Sequence, residues 1–172
     1  MMVAELRQLY RFNAWANRRI FDALAGLPAE QYLRDLKSSH GGIHGTLCHI
    51  VWAEQLWLTR WLGQPKPAVV QGRDLASLAD VRARWDAVEA ERAAFLGGLT
   101  QAKLAETLTI QPTTGGAYVH TYLQTLQHTV DHSSYHRGQI ITMLRQLGVQ
   151  PPSTGLILFH RERASGREIP NF

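Results

Sequence analysis

The chain contains one cysteine, Cys48, among 172 residues. A single thiol cannot close an internal disulfide, and such scarcity suits a reducing compartment better than a secreted scaffold. Long apolar runs are also missing. No stretch approaches the roughly 20 residues needed to cross a bilayer, so no membrane association is expected. The first ten residues, MMVAELRQLY, alternate polar and apolar instead of forming the apolar centre of a signal peptide. The expected location is the cytoplasm. Lys and Arg number 18 against 14 Asp and Glu, a net charge of +4 with His neutral. These basic residues are scattered and form no run, which argues against a nucleic-acid partner. Internal repeats, low-complexity tracts and linkers are absent too. What remains is a globular composition, 45% hydrophobic with five Trp and five Tyr. Its length suits a single domain over residues 1–172.

Apolar residues at helical spacing predict four long helices. The first, over 3–25, aligns Leu6, Leu9, Tyr10, Ile20, Phe21 and Leu24, and Asn13 and Asn17 interrupt that stripe. A buried Asn needs partners, so this pair either lines a polar cavity or ties loops down. Residues 29–45 read as a loop holding at most a short helical turn, broken by Gly41-Gly42. The second helix, about 43–62, is apolar nearly all round, with Leu47, Ile50, Trp52, Leu56, Trp57 and Trp61. Such a helix is buried on more than one side, which in a small bundle predicts a homodimer. A third helix, about 77–99, carries Leu78, Val81, Trp85, Val88, Arg92 and Phe95. Residues 104–119 then turn β-prone around Thr107 to Ile110, with turn chemistry at Pro112 to Gly116. They predict a short hairpin or irregular arm leaning on the bundle. The fourth helix runs from about 120 to 147 and stops at Gly148. Residues 156–159, apolar throughout, suit a short helix packed on the rest. The fold class is all-α: a four-helix bundle with a long crossover connection and a short arm before the last helix.

The last long helix carries His128, His132 and His136 at intervals of four. Residues so spaced stack on one helical face about 6 Å apart, close enough for neighbours to hold one metal ion. A rotation of about 100° per residue puts His136 nearest the apolar stripe and His132 on its shoulder. His128 falls farthest out, either behind a ligand or exposed. A third ligand must come from elsewhere, and His49 is the best placed, a full turn inside the buried second helix. His44 lies at the frayed start of that helix, and His40, His120 and His160 show no inward placement. The motif is not that of the zincins, since Ser133 stands where their general base would be. Cys48 points about 100° from His49 and reads as a small buried hydrophobe. Glu54 suits a ligand, a base or a core carboxylate alike. Three neutral imidazoles favour a divalent ion such as zinc or nickel. Three protein ligands leave an open position, the mark of a catalytic site, where a bound water or thiol loses its proton near neutral pH.

Three segments together resemble the DinB/YfiT-like family of metal-dependent enzymes. They are Asn13-Ala-Trp15-Ala-Asn17, Thr46-Leu-Cys-His49-Ile-Val-Trp-Ala-Glu54, and His128-x3-His132-x2-Tyr135-His136-Arg-Gly-Gln139, in the family's order. The resemblance implies a dimeric four-helix bundle with His49, His132 and His136 on one divalent ion. It also implies, as the leading function, a transferase in which that ion activates a low-molecular-weight thiol for attack on a small-molecule electrophile. Two alternatives stand beside it: a metal-dependent hydrolase that activates water, and a non-catalytic stress-response bundle that retains the histidines. No residue is assigned as catalytic. Arg137 and Gln139 are candidates for substrate contact, and Arg137 equally for a buried structural partner. One departure stands out, Gly155, where the family often has Asp.

Overall fold

The computed structural model describes residues 1–69, 74–111 and 115–167. Seven helices and one two-stranded sheet occur in these segments, in the order α1 (Val3–Ala25), α2 (Ala29–Leu33), α3 (Ile43–Trp61), α4 (Leu78–Gly97), α5 (Gln101–Ala105), β1 (Thr107–Ile110), β2 (Tyr118–Thr121), α6 (Tyr122–Gln146) and α7 (Leu156–Ala164). The long helices α1, α3, α4 and α6 form the bundle. Each of α1 and α3 packs on both α4 and α6, which sets α1 diagonal to α3 and α4 diagonal to α6.

Local chemistry explains where the elements begin. Ser77 accepts from the Asp80 backbone N–H while the Asp80 carboxylate accepts from the Ser77 N–H, and Thr121 and Gln124 repeat that reciprocal cap at the start of α6. Such caps satisfy two of the free donors at a helix N-terminus. They start α6 at Tyr122 rather than at His120, which instead pairs with Leu108 in the antiparallel hairpin β1–β2. The expected arm is therefore a hairpin. Its turn chemistry over 112–114 lies outside the described residues, as does the polar end over 168–172.

The core divides into two apolar halves. One holds Phe21, Leu24, Ile43, Ile50, Trp85, Ile140 and Leu144. The other holds Leu6, Tyr10, Leu58, Trp61, Leu96, Leu126 and Phe159. Along the sequence, α1 and α6 pass from the second half to the first, whereas α3 and α4 both pass from the first to the second. Two consecutive helices running the same way have to be joined by a connection as long as the bundle, which is the crossover expected from the sequence. Burying these faces is the main stabilising term, at about 25 cal/mol per Å² of apolar surface.

A polar layer separates the halves. Glu54 of α3 is wholly buried, and its Oε1 accepts from Asn13 Nδ2 at 2.8 Å, Asn17 Nδ2 at 3.2 Å and Ser133 Oγ at 2.7 Å. Its Oε2 accepts from Arg92 at 2.6 Å and from Trp85 Nε1 at 3.3 Å. Arg92 also pairs with Glu89, and Arg137 donates to Asn17 Oδ1 at 2.8 Å and to Asn13 Oδ1. Asn13 and Asn17 thus neither line a cavity nor tie loops down. They bridge the Glu54 carboxylate to the Arg137 guanidinium, because each amide can donate to one and accept from the other.

Candidate metal centre

α3 and α6 lie side by side, and α6 presents its residues to two surroundings at once. At about 100° per residue, Ser133 and Arg137 turn into the polar layer while His132 and His136 turn to its flank. His49, five residues before Glu54 on α3, faces them there. Its Nε2 stands 3.1 Å from His132 Nε2. The ring centroids are 5.0 Å apart for His49 and His132, 4.6 Å for His49 and His136, and 4.4 Å for His132 and His136. The structure places the rings of His49, His132 and His136 beside one another.

It adds a fourth. The His40 ring stacks on His49 with centroids 4.0 Å apart and planes 17° from parallel, and it lies 5.3 Å from the His136 ring. One nitrogen each from His40, His49 and His136 fall within 4.8 Å of one another, a cluster compatible with a metal site. Sequence reasoning gave His40 no inward placement, because periodicity carries no phase across a loop. His128 is exposed and stacks edge-on with Trp57 at 5.3 Å. His44 is occupied with Tyr32 Oη at 2.9 Å and with the Cys48 thiol. His120 and His160 are exposed, the latter against Gln8.

The electrostatics keep the cluster's lone pairs free. Burial, followed by the charges of His40, His132 and His136, pushes His49 down to about 3. Burial and then His136 push His132 down to about 4, and burial likewise lowers His40. His136 Nδ1 stands 2.8 Å from Gln139 Oε1, and the neutral tautomer that donates to this acceptor carries its lone pair on Nε2. This outer hydrogen bond is the usual way a metal-binding imidazole is oriented. Gln139 follows His136 by three residues, a spacing that makes side chains neighbours on a helix and so was readable in advance. His132 has no such support: its Nδ1 is buried without a partner.

A three-histidine cluster here is compatible with a divalent ion, and among the described residues the triad whose nitrogens all lie within 4.8 Å of one another is His40, His49 and His136, with His132 beside it. Two imidazole nitrogens tetrahedrally bound to one ion at about 2.0–2.1 Å stand about 3.3 Å apart, near the His49–His132 separation of 3.1 Å. Glu54 is excluded as a ligand. Burial alone would raise its pKa, but the Arg92 charge and the hydrogen bonds from Arg92, Ser133 and Asn13 outweigh that and hold it at about 2. Five donors occupy its two oxygens, leaving nothing for a cation. Arg137 is buried in the polar layer and serves as a structural partner.

A cavity of about 570 Å³ is lined by Lys37, Ser38, Ser39, Tyr135, Gln139 and Thr142 among others, with Gln139 shared as the partner of His136 and no histidine among the described residues of its wall. A second, of about 400 Å³, lies on the opposite face of α6, with Gly155, Ser134 and Arg137 in its wall. Gly155 is the N-cap of α7 and gives it no side-chain cap. The position where the family often has Asp is therefore on the far side of α6 from the histidines.

The DinB family model matches residues 1–168. Protein DinB of Bacillus subtilis (strain 168) is 30% identical over 159 residues, covering 88% of this chain and 92% of that protein. Among the described residues, no helix is long and apolar enough to cross a membrane.

Proposed function

This chain belongs to the DinB family, and from that membership and its imidazole cluster we propose that it is a divalent-metal-dependent transferase acting on a low-molecular-weight thiol and a small electrophile. The observation that carries the proposal is the convergence of His49, His132 and His136, with two Nε2 atoms 3.1 Å apart. These three would hold zinc or nickel. When bound, such an ion with three imidazole ligands lowers the pKa of a thiol at its remaining position.

The chain's own residues prepare that site. Burial keeps His49 and His132 unprotonated at neutral pH, and Gln139 fixes the tautomer of His136. The chain's own thiol is unsuited to the reaction. Cys48 is buried, and that burial pushes it up to about 11, so the nucleophile has to come from outside. The cavity with Lys37, Ser38, Ser39 and Gln139 in its wall offers the ammonium and hydroxyl donors that a carboxylate-bearing thiol would need. Water activation, the alternative, lacks its obvious helper, because Glu54 has both oxygens occupied and cannot take a proton at neutral pH.

Metal analysis of the purified protein and of His132→Ala tests the ligand set: about one ion per chain in the first and far less in the second is the expected result. Unchanged metal in the variant would sink it. Addition of a thiol to the cobalt-loaded protein should shift its visible spectrum, and no shift with any common thiol would favour water. The homodimer belongs to the same proposal. Half-buried Trp52 and Trp57 on the outer side of α3 support it, and sedimentation at several concentrations checks it. A cytoplasmic location completes the reading.

A further inference from the structure

The loop before α3 is built as a fixed platform. Gly41 N–H donates to Ser38 O at 2.9 Å, and Leu36 N–H donates to Gly41 O at 2.8 Å, closing a tight turn whose φ at Gly41 is +80°. That value favours glycine, which alone adopts it without steric cost. The turn then lies flat against the first turn of α3. A Cβ on Gly45 would stand 2.0 Å from the His40 carbonyl oxygen, so only glycine there permits the approach. Two glycines therefore hold the His40 backbone in one place, and its ring reaches over His49 with centroids 4.0 Å apart. A solvated loop histidine needs no such constraint. The nitrogens of His40, His49 and His136 lie within 4.8 Å of one another.

We infer that His40 is a fourth, displaceable donor, which occupies the ion's open position at rest and yields it to the incoming thiol. The inference rests on the metal reading of the preceding subsection and deepens it. A four-imidazole set closes the coordination sphere in the manner of a structural site, whereas a three-imidazole set leaves it open for reaction. His49 and His136 belong to both sets. His132 is carried by α6, with its ring flanked by those of His49, His128 and His136. His40 stands on a loop, half-buried, next to Ser39 in the wall of the cavity of about 570 Å³, so its side chain could turn away with α3 and α6 unmoved. With His40 in place the cluster would hold a divalent ion more tightly, and with its ring turned away a competing donor could enter.

The test uses full-length protein stripped of metal and titrated with cobalt(II) alone, then with 2-mercaptoethanol, for the wild type, His40→Gln and His40→Phe. The Phe variant keeps a ring to stack on His49 but has no donor nitrogen. Both variants are expected to bind cobalt about 10- to 100-fold more weakly and to show an altered visible spectrum. Both should also respond to 2-mercaptoethanol at lower concentration than the wild type, since no ligand has to be displaced. Wild-type affinity, spectrum and thiol response in His40→Phe would mean that the ring only stacks, and would overturn the inference while leaving the three-histidine site standing. A wild type that binds no cobalt would overturn the metal reading itself, and this one with it.

Discussion

Glu54 and His49 are five residues apart on the same helix and are each answered by α6, yet their surroundings are opposite. Glu54 lies in the middle of the bundle with donors on both oxygens from α1, α4 and α6. His49 lies one turn away on the flank, among three other imidazoles, with no carboxylate bonded to it among the described residues. A buried charge with every lone pair matched is held in place and chemically silent. A desolvated set of acceptors facing one another is complete only when a cation joins it. The contrast separates the layer that holds the helices in register from the cluster that has something left to bind.

The largest effect should come from breaking the matched layer. Glu54→Gln removes one of the two carboxylates that pair the buried Arg92 guanidinium, the other being Glu89, and breaking such a buried pair costs about 3–5 kcal/mol. Urea unfolding should show that loss, while metal content per folded chain stays near that of the wild type. A parallel loss of metal would mean the two regions are not independent.

Acid should separate the same two regions by pH. In metal-free protein, His49 and His132 have folded pKa values of about 3 and about 4, below the ordinary 6.5. The unfolded chain therefore takes up protons first, and stability present above pH 6.5 declines as the pH falls toward 3. Glu54, held at about 2 against an ordinary 4.5, adds its loss only below pH 4.5, as the pH falls through 2. Denaturation profiles of a His49→Gln/His132→Gln double variant should thus flatten in the upper window and keep their slope in the lower. A slope unchanged in both windows would contradict the depressed imidazoles.

A smaller effect is expected at the rim of the cluster. Gln139→Leu removes the acceptor for His136 Nδ1–H and should weaken cobalt or zinc binding about 10- to 100-fold, with unfolding shifted little. Equal affinity in a chelator competition would show that Gln139 does not orient the ring. Smallest of all is Gly155→Asp. A Cβ there meets no atom within 4 Å, and an Asp cap improves on Gly by a few tenths of a kcal/mol. Thermal unfolding should rise slightly and metal affinity should not move, as befits a residue across α6 from the histidines.

Much of this was legible in the residues themselves. Helical periodicity located the four long helices because an amphipathic stripe is a local property, and α1 and α3 begin where it does. The intervals of four between His132 and His136 determined that both imidazoles share a face, since backbone geometry alone makes them neighbours. Glu54 was left undecided for a physical reason: whether a carboxylate is a ligand, a base or a buried counter-ion depends on donors from other helices, here Asn13, Arg92 and Ser133. The same holds for Asn13 and Asn17, whose partners lie on α3 and α6. His40 was one of the candidate third ligands but could be given no inward placement, because a loop has no period and its direction is set by contacts such as Gly45 against the His40 carbonyl. The sequence alone determined which side chains share a helical face. Only the tertiary structure decided which faces meet, because meeting depends on how the helices pack and on where the segments between them are held.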